Sequence, residues 1–331
     1  MGHMSTVHLR FRALFNLIAS DRRSKHPCVR HNLIDPRFTP VGLCLGALIC
    51  LFAVLLAPAL ARALELKPFK DDLFAYPGLM ESKDNGDWIK VDYRKERDIY
   101  QRDDEPERKV KWQYMSLGVT WNQSFNTVDL GAGRKLEVFT AGKVGKQKFS
   151  VVFIHGRGVD RKLGASDERF GGNFNRLKNL AVDNGGVYVA PTVKSFDAAG
   201  AADVSKLIQS LSKASGGNPV IIACASMGTL VCREIARDPQ AVSVLSGMIL
   251  MSGVLDSQFD TTPFYTAHLP LFFAHGTDDT VYSWKDQDGL YRKLHDKAYP
   301  TRFVLFNTGS HGIPLRMLDW RDTLNWFFRR S

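Results

Sequence analysis

Residues 219–237 read PVIIACASMGTLVCREIAR, and this stretch decides the fold that we predict. The apolar run 219–223 has the length and composition of a buried β-strand, and 229–237 is typical of a helix. Ser226 therefore lies on a tight turn between a strand and a helix. A serine in that context is exposed at the carboxyl end of a strand, where parallel sheets keep their active sites.

Two further polar segments follow apolar runs. HGTDDTV at 275–281 comes directly after the run 271–274, and GSHG at 309–312 comes shortly after 302–306. Because each run predicts a buried parallel strand, we expect Ser226, an aspartate of the pair 278–279 and His311 to meet at one edge of a sheet. A serine hydroxyl becomes nucleophilic when an imidazole accepts its proton, and a carboxylate orients that imidazole. The three side chains together predict a catalytic triad.

These motifs resemble the α/β-hydrolase superfamily, in which the nucleophile turn usually reads Gly-x-Ser-x-Gly. Cys224 stands at the first of these glycine positions and Gly228 at the second. The resemblance covers residues 149–329 and implies a serine esterase or lipase-like protein. The implied fold class is α/β, with a mostly parallel central sheet flanked by helices, antiparallel edge strands near the N-terminus and no large lid domain.

The same resemblance assigns roles to the two loops that follow Ser226. It implies Asp279 as the acid, with Asp278 as its close rival and Asp256 as the position that some relatives use. It also implies a buried structural role for His275, which precedes the glycine of that loop. His311 remains as the base because it alone among the nine histidines follows the acid loop at the end of the last predicted strand.

The stretch HGRG at 155–158 follows the predicted strand 150–154. By resemblance this is the oxyanion loop, and the backbone N–H groups of Met227 and of Arg157 or Gly158 would stabilise the negative oxygen. The basic residues of this region have two interpretations. Arg157 and Arg161 could meet an anionic group of the substrate, or form a solvated salt bridge with Asp160 or Asp167.

The first 63 residues are typical of an export signal. Seven Lys and Arg residues precede the uncharged run 41–57, and the small-residue stretch PALARA follows at 58–63. We predict a signal peptide over 1–63 that is cleaved on export to the periplasm or outside the cell. The alternative is an uncleaved anchor that spans a membrane through 41–57. Residues 64–331 then form one domain, with a β-rich edge portion at 64–148 and a catalytic core at 149–331.

The charge distribution excludes a nucleic-acid-binding function for the main domain. The chain of 331 residues has a formal net charge of +10, of which residues 1–63 supply +6. The +4 left on 64–331 is mixed in sign and forms no basic stripe among aromatic residues. No spacing of Cys and His predicts a metal site, and the proposed chemistry needs no cofactor. Cys224 and Cys232 are expected as free buried thiols, because a bridge there would distort the turn that carries Ser226.

Periodicity places the remaining elements. The predicted strands are 151–154, 187–190, 220–223, 248–251, 271–274 and 302–306, and the predicted helices are 173–182, 201–213, 229–237 and 314–329. Alternation at 88–93 and 135–139 predicts antiparallel edge strands. The charged run 94–111 is interpreted as a solvated loop or edge. The connection 252–270 is too short for a lid, and its aromatic residues either line an acyl pocket or serve packing.

We therefore expect an exported enzyme that cleaves a carboxylic ester through an acyl-serine intermediate. The partner is a small-molecule or lipid ester, and membrane contact arises only if the N-terminal segment stays uncleaved. The same triad also serves amidases, peptidases, thioesterases, acyltransferases, lipases and phospholipases. A membrane-anchored, inactive binding protein of the same fold is the alternative outside the enzymes.

Overall fold

The computed structural model describes residues 64–330 of the chain. The predicted signal peptide, with its apolar run 41–57, lies outside the described residues. Among residues 64–330, no helix combines the length and the apolar character needed to cross a bilayer.

The centre of the fold is a ten-stranded sheet. Its order is β1-β2-β12-β11-β10-β9-β7-β8-β6-β5, and β3 and β4 form a separate two-stranded sheet. The strands in chain order are β1 Leu79–Lys83, β2 Trp88–Val91, β3 Asp103–Glu105, β4 Lys109–Val110, β5 Gln123–Asp129, β6 Lys135–Ala141, β7 Ser150–Ile154, β8 Val187–Pro191, β9 Val220–Ala225, β10 Gly247–Met251, β11 Leu271–Gly276 and β12 Thr301–Phe306.

All six strands predicted for the core are present and run parallel. β5 and β6 form an antiparallel edge next to β8, as predicted. The prediction for 88–93 was wrong in part, because β2 pairs parallel with β12 and only β1 is antiparallel to it. Seven parallel strands therefore form the centre of the sheet. Their crossovers supply the helices that cover it.

Ten α-helices accompany the strands in the described part of the chain. They are α1 Asp71–Phe74, α2 Arg161–Ala165, α3 Asn173–Asp183, α4 Ala198–Ser215, α5 Gly228–Ile235, α6 Pro239–Val242, α7 Pro263–Thr266, α8 Trp284–His295, α9 Ile313–Met317 and α10 Trp320–Phe328. The predicted helix 314–329 is two helices, because Leu318 leaves the helical conformation with ψ 124°. The Asp319 side chain then caps α10 by accepting from the amides of Arg321 and Asp322.

Continuous apolar strands follow from burial on both faces of the sheet. Along β7, Val152 and Ile154 pack into the core on one face, and Val151 and Phe153 pack into the core on the other. Neither face of β7 meets water, and after the buried Ser150 all its residues are apolar. This explains why uninterrupted apolar runs, rather than alternating patterns, located the central strands.

The strand order also locates a crevice. β7 lies between β8 and β9 in the sheet. The chain therefore passes from β7 to β8 on one side of it and then crosses to β9 on the other side. Open α/β sheets bind their ligands at such a reversal, outside the carboxyl ends of the strands. The loop after β7 and the turn after β9 both open into this crevice.

The charged segment 94–111 differs from the expected solvated loop. It contains a π-helical turn, Glu96–Tyr100, and the β3–β4 hairpin. Three of its charged residues, Asp98, Arg102 and Asp103, are buried. Arg316 of α9 pairs with Asp103 and donates to the carbonyl oxygen of Asp98 at 2.7 Å. This pairing lets a segment with the composition of a surface loop pack against the domain.

Candidate active site

Ser226 occupies a strained turn between β9 and α5. Its φ is +53°, in the left-handed region that residues with a side chain seldom adopt. The turn is held on both sides, because the amide of Ser226 donates to Met251 O at 3.0 Å and its carbonyl oxygen accepts from the Thr229 amide at 3.0 Å. Strain of this kind persists where the surroundings fix it, and here it projects the hydroxyl from the sheet edge.

Two glycines let the neighbouring backbone approach Ser226. A Cβ atom at Gly228 would lie 2.6 Å from the carbonyl oxygens of both His155 and Ile154. A Cβ atom at Gly156 would lie 2.9 Å from Cβ of Ser226. Both positions therefore exclude any side chain, and the strand, the turn and the oxyanion loop pack tightly together.

Cys224 and Cys232 form a disulfide, so the expectation of free thiols was wrong. Their Cα atoms are 6.3 Å apart, which lies within the ordinary range for a disulfide. The expectation assumed that a bridge would deform the turn. In fact α5 starts directly at Gly228 and brings Cys232 back over the end of β9, so the turn and the bridge coexist. Both cysteines are fully buried.

The three predicted side chains lie in one hydrogen-bonded chain. His311 Nε2 is 2.8 Å from Ser226 Oγ, and His311 Nδ1 is 2.8 Å from Asp279 Oδ2. Because the carboxylate accepts the proton of Nδ1, Nε2 is left with a lone pair directed at the serine hydroxyl. This is the arrangement in which an imidazole acts as the base for a serine nucleophile.

The two rival acids do not contact His311. Asp278 is exposed and accepts from the hydroxyl of its neighbour Thr277 at 3.1 Å. Asp256 forms a bidentate ion pair with Arg237, with both N–O distances at 2.8 Å. Asp279 is therefore the carboxylate that orients His311.

Asp279 is held by a second imidazole that the sequence did not identify as part of the site. His275 Nε2 lies 3.0 Å from Asp279 Oδ2, the same oxygen that accepts from His311. The carbonyl oxygen of Tyr282 lies 3.1 Å from the same nitrogen, so Nε2 carries the hydrogen. The Gln287 side-chain amide faces Nδ1 at 2.9 Å and completes the contacts of the ring.

These contacts keep Asp279 ionised. Burial raises the pKa of its carboxyl, but hydrogen bonds from the two imidazoles and from the amides of Val281 and Tyr282 outweigh that effect. The pKa of Asp279 consequently lies well below its usual range. The signal in the sequence was the spacing of His275 and Asp279 by four residues across a strand end, which alone did not indicate a contact.

The loop at 155–158 lies beside Ser226. His155 turns into the protein, where its Nε2 accepts from the Val193 amide at 3.0 Å and its Nδ1 lies 2.7 Å from Gly156 O. Burial lowers the pKa of this imidazole, which keeps it neutral and able to accept. His155 thus fixes the loop and takes no part in the hydrogen-bonded chain of Ser226.

The predicted oxyanion donors have no protein partner. Within residues 64–330, the backbone N–H groups of Met227, Arg157 and Gly158 donate to no protein acceptor. A free N–H group next to a nucleophile can meet the oxygen of a substrate. The salt bridge considered for Arg161 with Asp160 or Asp167 is not formed. Arg161 instead forms an ion pair with Glu137 at 2.7 Å.

Two cavities adjoin the site. The loop-side cavity, of about 630 Å³, begins at the oxyanion loop and is lined by Gly158, Val159, Asp160, Lys162, Leu163, Ser166 and Arg169. The histidine-side cavity, of about 490 Å³, includes both neighbours of His311 and is lined by Ile99, Pro106, Glu107, Arg108, Arg169, Phe170, Ser310, Gly312, Ile313 and Arg316. Of the aromatic residues in the connection 252–270, Phe259 and Phe264 are buried and pack in the core, lining neither cavity. No group of residues in the described part of the chain is suited to hold a metal ion.

Comparison with known proteins identifies the fold. No protein-family model and no curated protein sequence matches the chain. A thermostable esterase is similar in structure, with a TM-score of 0.50 and 18% identity over 64% of this chain and 64% of its own. The chain has an α/β-hydrolase fold.

Two further esterases show weaker likeness. The Pyrococcus furiosus esterase Pf2001 has a TM-score of 0.47 and 13% identity, over 68% of this chain and 98% of its own. The esterase Est2 of Thermogutta terrifontis has a TM-score of 0.45 and 13% identity, over 62% and 88%. The predicted fold class is confirmed, with the antiparallel edge at β5 and β6 and with only a short connection between β10 and β11.

Proposed function

We propose that the protein is a serine hydrolase that cleaves carboxylic esters through an acyl-serine intermediate. The observation that carries this proposal is the chain of 2.8 Å contacts from Ser226 through His311 to Asp279. When a serine and a histidine on a protein surface come into contact by chance, no buried, ionised acid lies behind the imidazole. Here the acid is held by four donors, which is the support that a catalytic base requires.

In the first half of the reaction, Ser226 Oγ attacks the ester carbonyl carbon and its proton passes to His311 Nε2. The carbonyl electron pair moves to oxygen, where the amides of Met227 and Arg157, or Gly158, donate to the negative charge. Each such donor lowers the activation barrier by roughly 3 kcal/mol. The intermediate then expels the alcohol, which takes the proton from His311, and the acyl group stays on Ser226.

In the second half, water replaces the alcohol. His311 Nε2 accepts a proton from the water as its oxygen attacks the acyl carbon, and the same donors stabilise the second tetrahedral intermediate. Collapse breaks the bond to Ser226 Oγ, which recovers its proton from His311, and the carboxylic acid leaves. Throughout, Asp279 stays ionised and stabilises the imidazolium without itself accepting the proton.

A panel of p-nitrophenyl esters of rising acyl length tests this proposal, run beside a p-nitroanilide and a phospholipid. We expect hydrolysis of the short esters by the wild type and its loss in Ser226→Ala. Ser257→Ala is the matched control, because Ser257 is exposed in the connection between β10 and β11 and contacts none of the triad. Faster anilide cleavage would favour an amidase, and preference for long chains or phospholipid would favour a lipase or phospholipase. No turnover of any substrate by a folded wild type would favour the inactive binding protein.

We also propose that the protein is exported, to the periplasm or the medium. The disulfide between Cys224 and Cys232 supports this, since such bonds persist in oxidising compartments. Expression of the full chain in a bacterial host, followed by fractionation and intact-mass measurement, tests the cleavage of residues 1–63. A protein that stays with the membrane at full length would indicate the anchor at 41–57 instead.

A further inference from the structure

The histidine-side cavity has a wall that belongs to the segment 94–111. Ile99, Pro106, Glu107 and Arg108 of that segment face Ser310 and Gly312, the two neighbours of His311, across the cavity. The segment therefore forms part of the space beside the catalytic imidazole, although nothing in its composition indicates such a role. The segment lies in the chain between β2 and β5.

A buried ion pair and two hydrogen bonds fix this wall to α9 and to Gly171. Arg316, five residues after His311, pairs with Asp103 and also donates to the carbonyl oxygen of Asp98 at 2.7 Å. Arg102 donates to Gly171 O at 2.6 Å. All four charged side chains are buried. The cavity is thus built into the fold and keeps its position relative to the imidazole.

The lining of the cavity divides into an apolar part and a cationic part. Ile99, Ile313 and Phe170 supply apolar surface, and the first two are buried. Arg108 and Arg169 supply two exposed guanidinium groups. A ligand that fits both parts has a short hydrocarbon chain with a negative charge at its end.

The four arginines of this region differ in whether their guanidinium groups have protein partners. Arg102 and Arg316, which hold the wall, have acceptors for their guanidinium groups. The guanidinium groups of Arg108 and Arg169 have no carboxylate or carbonyl partner within residues 64–330, and that of Arg169 contacts only the ring of Phe170, at 5.8 Å. Arg169 also lines the loop-side cavity, which starts at the oxyanion loop, so this cation borders the spaces on both sides of the site.

Glu107 is the one carboxylate among the residues that line the histidine-side cavity. Its side chain forms no ion pair with Arg108 or Arg169, and Arg316 is neutralised by Asp103. The two free guanidinium groups therefore outweigh this single acid. Planar guanidinium groups bind carboxylates through two parallel hydrogen bonds, which suits an anionic ligand better than a neutral one.

We propose that the histidine-side cavity binds the acyl part of an ester whose chain ends in a carboxylate, with Arg108 and Arg169 holding that carboxylate. This substrate class rests on the proposed esterase function and narrows it to hemiesters of short dicarboxylic acids. The apolar lining accommodates the methylene groups, and the ester carbonyl reaches Ser226. The cations select the charged end of the chain.

The test compares two ethyl esters of equal acyl chain length, monoethyl glutarate and ethyl pentanoate, with the full chain and acid release followed by pH-stat titration. The wild type is expected to give the higher kcat/KM with monoethyl glutarate. Arg169→Gln and Arg108→Gln are each expected to lower the ratio of the two kcat/KM values by about 10-fold, the usual contribution of a hydrogen bond between charged groups. Raising the salt concentration to about 1 M should lower the ratio in the wild type as well.

Three variants serve as controls. Glu107→Gln should raise the ratio, because it removes the opposing charge. Arg169→Lys should restore part of it, since it keeps the charge without the planar fork. Arg329→Gln makes the same change in net charge at the end of α10, lines neither cavity, and should leave the ratio unchanged.

The outcomes separate this substrate class from the esterase function. Hydrolysis of ethyl pentanoate without preference for the anionic ester, or a ratio unchanged in both arginine variants, overturns the carboxylate site and leaves the esterase intact. No hydrolysis of either ester by a folded wild type overturns both. Retained thermal unfolding midpoints show that a lowered ratio in a variant arises from the site.

Discussion

Removal of the disulfide between Cys224 and Cys232 should destabilise the domain by a calculable amount. The bridge joins residues eight positions apart and so closes a short loop that contains Ser226. In the chain-entropy account, a loop of this length restricts the unfolded state by about 2.5 kcal/mol at 25 °C. Division of this free energy by the unfolding entropy expected for a domain of this length gives a fall in Tm of about 4 °C.

Thermal and urea unfolding of the wild type, with and without a phosphine reductant, measures this difference. The double variant Cys224→Ala/Cys232→Ala should match the reduced wild type and should not respond to the reductant. Fluorescence and circular dichroism should give the same midpoint if unfolding is two-state. The m-value should rise on reduction, because the reduced chain unfolds more completely.

Peptide mapping decides the bonding state directly. Trypsin releases residues 214–233 as one peptide that contains both cysteines. Its mass without reductant should be lower by two hydrogen atoms than its mass after reduction. Two free thiols in the unreduced, freshly unfolded protein, together with a Tm that ignores the reductant, would refute the reasoning and restore the expectation of free cysteines.

Four other perturbations follow from the geometry of the described residues. Asp279→Asn should lower kcat by about 10⁴-fold with KM nearly unchanged, since the orientation of the imidazole is lost, whereas Asp278→Asn should leave both unchanged in steady-state assays. Gly228→Ala should destabilise the fold by about 2 kcal/mol in urea unfolding, because its Cβ meets two backbone carbonyl oxygens at 2.6 Å. Gly289→Ala, in a helix with open space around it, should instead stabilise by about 0.5 kcal/mol, and a loss there would contradict the packing. The lowered pKa of Asp279 contributes stability above the unfolded-state pKa of about 4 and loses it as the pH falls further, so the unfolding difference between wild type and Asp279→Asn should shrink in acid.

The central sheet could be predicted because burial on both faces leaves a simple signal. The predicted runs 151–154, 220–223 and 271–274 of β7, β9 and β11 are wholly apolar, and a polar motif follows each of them. The turn at Ser226 was predicted from the same pattern, since Gly228 leaves room for the backbone of the oxyanion loop. Local sequence thus carries most of the information about where these side chains lie.

Contacts between distant segments carry the rest, and a single sequence does not reveal them. The segment 94–111 has the composition of a surface loop, but its Asp103 is buried and is neutralised by Arg316, 213 residues away in the chain. The disulfide was missed since its geometry depends on the angle at which α5 returns over β9. Likewise the contact of His275 with Asp279 depends on a turn whose shape the three intervening residues do not specify.

Covalent trapping tests the central claim most directly. A fluorophosphonate reacts with a serine only where a neighbouring base activates it, so the wild type should carry the adduct on Ser226 in the peptide 214–233. Ser226→Ala should carry none, and His311→Gln should react about 10³-fold more slowly. An adduct on another residue, or labelling of the alanine variant at the wild-type rate, would contradict the account.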